Sequence, residues 1–148
     1  MICARVCAPR SCWPLAARHG RALLYPPGGD IIGRRRLDTH FLGLRALGIE
    51  ADARPDRLAF RRQSFRGSRM VLDEASVTAT ENILMAAVLA PGETEIYNAA
   101  CEPHVQDLGL LLRKMGATIE GLGTNRLRVR GVQTLNGAEH DVCPDHIE

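Results

Sequence analysis

Residues Pro26 to His40 read PPGGDIIGRRRLDTH and hold the densest set of reactive side chains in this chain of 148 residues. Paired prolines and glycines turn the backbone sharply, and glycine lets a main chain approach a ligand closely. One acid, Asp30, stands between Gly28-Gly29 and Gly33. Arg34, Arg35 and Arg36 follow, and Asp38 heads an apolar-periodic segment. A carboxyl group on a glycine loop, beside a guanidinium cluster and a helix N-terminus, suits an anionic substrate. Guanidinium forks match phosphate geometry, and helix N-termini add N–H donors. The same run also fits a solvated surface turn, the common fate of charge runs.

The length allows one domain with a real core. A hydrophobic content of 45% and a charged content of 24% are those of a soluble globular chain. The net charge of +2 is too small to argue for nucleic acid. Scarce aromatic residues argue against base-stacking platforms. Lys114 is the sole lysine, so chemistry needing a lysine elsewhere is excluded. No apolar run approaches the ~20 residues of a membrane span. The odd set Cys3, Cys7, Cys12, Cys101 and Cys143 favours reduced thiols in a cytoplasmic protein. No CxxC pair occurs, and the cysteine spacing fits no zinc pattern, so no metal site is expected.

The elements that must carry the loop can be read from periodicity. Residues 1–13 show no period and are set apart from the domain, which is expected to cover 14–148. Residues 15–22 give no clear signal, and Ala22 to Tyr25 is a brief strand running into the glycine loop. Leu37, Phe41, Leu44 and Leu47 recur at helical spacing, with Gly48 as the stop. Ile49–Ala53 and Arg57–Arg61 read as a strand pair, followed by a short strand at Met70–Leu72. Thr78 and Glu81 match a capping box. Behind them, Ile83 to Ala90 is apolar without a break, and a helix apolar on every side is buried on every side. Thr94–Asn98 is a strand, Pro103 opens a helix that Gly116 closes, and Ala117–Glu120 with Leu127–Arg130 form a second strand pair. The tail from Asn136 is expected to return to a short strand.

Two segments share the plan helix, glycine stop, strand, turn, strand, glycine, strand. Leu44 to Gly48 lies over Leu112 to Gly116, and Gly67 lies near Gly137, an offset of about 68 to 70 residues. The fold class expected is α/β (α+β), built from repeated αβ units.

These residues resemble one family closely. PGGDIIGRRRLDTH is similar to the active-site loop of the enolpyruvyl transferases that act on UDP-N-acetylglucosamine, which reads PGG-(Cys or Asp)-x-IG-x-R-x-x-D-x-H. ASVTATENILMAAVLAPGETEIYNAACEP and DLGLLLRKMGATIEGLGTNRLRVRGV resemble its next two stretches, in the same order. The resemblance implies a domain of three αβ units with helices inside and sheets outside, of which this chain holds about two. It implies transfer of the enolpyruvyl group of phosphoenolpyruvate to the 3′-hydroxyl of UDP-N-acetylglucosamine, with phosphate leaving, in peptidoglycan synthesis. It implies no cofactor, no nucleic acid and no membrane partner.

The family's roles fall on this sequence as follows. Asp30 stands where the loop carries its general acid toward the phosphoenolpyruvate methylene, although three adjacent arginines favour its anion. Arg35 falls on the arginine that grips phosphate. Arg36, Leu37, Asp38 and Thr39 fall on one stretch of the nucleotide site, and Glu74, Ala75, Ser76 and Val77 on another. Helix capping is an alternative role for Asp38, Ser76 and Thr78. An aspartate in place of the loop cysteine implies resistance to fosfomycin, which alkylates the thiolate. The chain lacks the N-terminal substrate lysine of the family and the second domain that closes over the substrate. An enzyme fragment inactive alone is therefore expected. A non-catalytic nucleotide-sugar-binding module and a non-functional gene fragment are the alternatives.

Overall fold

The computed structural model describes residues 3–4, 12–25 and 37–145. Two copies of one βαβαββ unit follow each other. The first comprises β1 (Cys3–Ala4), α1 (Cys12–His19), β2 (Arg21–Leu24), α2 (Asp38–Ala46), β3 (Ile49–Arg54) and β4 (Arg57–Arg62). The second comprises β5 (Arg69–Val71), α3 (Val77–Ala87), β6 (Glu93–Tyr97), α4 (Pro103–Lys114), β7 (Thr118–Glu120) and β8 (Arg126–Arg130). Each unit forms its own sheet, ordered β1-β2-β4-β3 and β5-β6-β8-β7. In both, the first pair is parallel and the other two are antiparallel.

The helices lie inside and the sheets outside, as expected. Eight residues of α3, among them Ile83 and Leu84, are buried, and the helix packs against α1, α2, α4 and β8. Strand alternation does the complementary work. In β8, Leu127 and Val129 face the helices while Arg126, Arg128 and Arg130 face out. On that outer face Glu95 accepts from Arg126 at 2.8 Å and from the Tyr97 hydroxyl at 3.0 Å. The Arg126 guanidinium, then Tyr97, hold the Glu95 carboxyl below its ordinary value.

Four differences from the sequence reading have physical causes. Residues 1–13 were expected to lie outside the domain, yet Cys3–Ala4 pairs in parallel with β2 and Trp13 is fully buried. Trp13 packs on Phe60 at 4.6 Å between ring centroids, so α1 is core even though its sequence shows weak periodicity. The short strand expected at Met70–Leu72, the last of the first copy by the repeat, lies at Arg69–Val71. It pairs with β6 and so opens the second unit. The strand expected near Asn136 is absent among the described residues. By the repeat its place is that of β5, which hydrogen-bonds only to a later strand, and no later strand is described. The cap of α3 is Ser76, whose Oγ accepts from the Ala79 N–H at 3.4 Å, and Thr78 lies inside the first turn.

The inner packing leaves no slack between α2 and α3. A Cβ on Gly43 would overlap the Ile83 side chain. Gly43→Ala is expected to cost about 1–3 kcal/mol by overpacking, and Ile83→Ala about 2–5 kcal/mol by leaving a cavity. The double variant should lose less than the sum in denaturant unfolding, because alanine at 83 makes the room that the new methyl needs. On the outer face, Arg126→Gln should raise the Glu95 pKa toward its ordinary value in an NMR titration. A depressed carboxyl contributes stability above its unfolded pKa and loses it as pH falls through the folded value.

Candidate functional site

The two stretches implicated by sequence are far apart in the chain and adjacent in space. α2 starts after Leu37, its N-cap, which makes no side-chain cap bond, so Asp38 is the first helical residue rather than the cap. An acid in that first turn is favoured by the helix dipole. α3 starts after Ser76, whose side chain caps the helix. Beside Ser76 Oγ, the Thr80 hydroxyl donates to the Ser76 carbonyl at 2.8 Å, tightening the same turn.

Three contacts tie the turns together. The Thr39 hydroxyl donates to Asp73 Oδ1 at 2.6 Å, directly before the Glu74–Val77 stretch. His40 Nε2 lies 3.3 Å from Thr78 Oγ1, and His40 Nδ1 lies 3.0 Å from Asn82 Nδ2. The imidazole stacks on Trp13 with ring centroids 5.5 Å apart and planes 14° apart. A fourth segment closes the same end of α3: the Ala100 N–H donates to Thr80 Oγ1 at 3.0 Å. The N-terminal turns of α2 and α3 thus stand side by side, and helix N-termini attract anions.

Leu37 is half-buried, Asp38 is exposed, and Thr39 is buried with its hydroxyl engaged by Asp73. Glu74 and Ala75 are exposed, and Ser76 and Val77 are half-buried. Asp30, Arg35 and Arg36 lie outside the described residues. By connectivity their loop leaves the end of β2 and enters α2 at Leu37, the start of the paired turns. Among the described residues no cluster of three or more His, Cys, Asp or Glu side chains is arranged to hold a metal. Sequence reasoning gave no role to His40, Asp73 and Asn82. The available signal was a polar residue on an otherwise apolar helical face, His40 in α2 and Asn82 in α3, both nearly fully buried.

The family model for EPSP synthase (3-phosphoshikimate 1-carboxyvinyltransferase) matches residues 6–148. The chain is 58% identical over 137 residues to a UDP-N-acetylglucosamine 1-carboxyvinyltransferase of Porphyromonas gingivalis, covering 91% of this chain and 32% of that protein. It is 56% identical over 135 residues to the protein of the same name from Bradyrhizobium diazoefficiens, covering 91% and 31%. The chain therefore spans about a third of the length of the curated relatives it matches. Among solved structures, EPSP synthase from Acinetobacter baumannii superposes with a TM-score of 0.67 at 22% identity, covering 87% of this chain and 30% of that one. The enolpyruvyl transferase NikO from Streptomyces tendae gives 0.66 at 20% identity, covering 83% and 30%. With the family model spanning nearly its whole length and the same fold in those structures, the chain belongs to the EPSP synthase family.

Proposed function

We propose that this chain is part of a UDP-N-acetylglucosamine 1-carboxyvinyltransferase, working in the cytoplasm in peptidoglycan synthesis. The reaction transfers the enolpyruvyl group of phosphoenolpyruvate to the 3′-hydroxyl of the sugar nucleotide and releases phosphate. The observation that carries the reading is the pairing of the α2 and α3 N-terminal turns where the Asp30 loop lands. The 58% identity to a protein of that name supports it. No described helix is long and apolar enough to cross a membrane, in keeping with soluble substrates.

The roles follow from the groups present. The N–H donors of both turns, with Leu37 to Thr39 on one side and Glu74 to Val77 on the other, hold the anionic nucleotide sugar. Arg35 and Arg36 add guanidinium forks for phosphate oxygens. Asp30, as the carboxylic acid, protonates the methylene of phosphoenolpyruvate while the 3′-hydroxyl attacks the adjacent carbon. Breaking the carbon–oxygen bond to phosphate, with return of the methyl proton to Asp30, forms the enol ether, and the proton of the 3′-hydroxyl leaves with the phosphate. Arginines near Asp30 favour its anion, so burial or substrate charge must keep it protonated during turnover. The remaining two-thirds of the relatives' length supplies the second domain that closes over the substrates.

Calorimetric titration with UDP-N-acetylglucosamine tests the assignment. Saturable binding is expected, weakened at least tenfold in Arg35→Ala, with no turnover by the chain alone. Absence of binding by a folded chain would remove the reading for this chain. Fosfomycin supplies a separate check, since a carboxylate is a far weaker nucleophile than a thiolate. Mass spectrometry of a full-length enzyme carrying this loop should show no covalent adduct at Asp30 and a stoichiometric one at that position in Asp30→Cys. An adduct on Asp30 itself would overturn the predicted resistance.

A further inference from the structure

The internal repeat supplies a control for His40. Gly48 and Gly116 close α2 and α4 with φ of +78° and +105°, so the helices align with an offset of 116 − 48 = 68 residues. That alignment puts Leu108 at the place of His40, and Leu108 packs partly buried against the core. The fold therefore accepts leucine at this position, and packing alone does not call for an imidazole. Burying one is costly unless both ring nitrogens are bonded. Here both have a partner: Nδ1 lies 3.0 Å from the Asn82 side-chain amide and Nε2 lies 3.3 Å from Thr78 Oγ1. Thr78 Oγ1 in turn lies 3.5 Å from Oγ of the cap residue Ser76. A polar chain thus runs from α2 through His40 and Thr78 to the cap of α3.

We infer that His40 is a positioning residue that sets the α2 turn against the α3 turn, and thereby the geometry in which the paired turns hold a nucleotide sugar. The inference rests on the function proposed above. His40 is only 5% exposed, so it acts through Thr78 and Ser76 rather than by touching the ligand.

Two variants and two readouts test it. Thr78→Val removes the hydroxyl partner of His40 with little change of shape. In NMR spectra of the ligand-free chain it should shift the Asp38 and Thr39 amides, which sit on the other helix, and alter the His40 ring nitrogen signals. Affinity for UDP-N-acetylglucosamine should fall about 3- to 10-fold, the size of one lost hydrogen bond. His40→Leu/Asn82→Leu replaces both polar partners by apolar ones. It should keep Tm within about 3 °C and still weaken binding at least as much. Wild-type affinity in the folded double variant overturns the inference. So do Asp38 and Thr39 amides unmoved by Thr78→Val, and so does a parallel loss of Tm and affinity in both variants. Should the wild-type chain bind no nucleotide sugar, the proposed function fails, while the amide shifts still decide whether His40 joins the turns.

Discussion

The burial of α3 is the constraint on which the rest depends. Its residues from Ala79 to Leu84 are all buried, and Ala86 and Ala87 as well. No single partner can cover such a helix, so α1, α2 and α4 surround it and the sheets are pushed to the outside. The sheets then bury one face and expose the other, which is why the outer strands alternate arginine with aliphatic residues and pair those arginines with Glu93 and Glu95.

The same constraint builds the site. Gly43 allows α2 to approach α3 closely enough for their first turns to stand side by side. Thr39 with Asp73, and His40 with Thr78 and Asn82, then hold the turns in register. Close packing and polar bonding act at successive levels along one helix pair. The glycine sets how near the helices come, and the hydrogen bonds set how their ends align. In chain order, the segment carrying Asp30 and Arg35 joins β2 to the start of α2.

Duplication explains the architecture, and the two units depart from each other around the candidate site. Both units share strand order, helix closure by a positive-φ glycine, and a following segment that returns to the end of the second helix. The Arg66 N–H donates to the Leu47 carbonyl at 3.2 Å, and the Asn136 N–H to the Met115 carbonyl at 2.9 Å. What differs is the connection from the second strand to the second helix. Residues 25–37 make it in the first unit and residues 98–102 in the second. The helix after it differs too, with His40 in one unit and Leu108 in the other. The candidate site thus lies where the first unit carries a longer connection and a helix start of different residues.

Much of this was legible without coordinates, for local reasons. Glycine stops at Gly48 and Gly116, the strand pair around Pro55, and the unbroken apolar run behind Glu81 depend on neighbouring residues alone, so periodicity and turn chemistry sufficed. The loop from Pro26 to His40 carried its chemistry in composition. Three matters needed the tertiary structure. Trp13 lies in a segment without period, and only contacts with Phe60 and His40, distant in sequence, reveal it as core. The strand at Arg69–Val71 belongs to the second sheet because of its partner β6, and pairing is not written in a three-residue strand. The joining of the two turns rests on hydrogen bonds spanning 34 to 42 residues. Local sequence selects helices, strands and reactive side chains through short-range sterics and burial preference, whereas which ends meet is decided only when the whole core closes around α3.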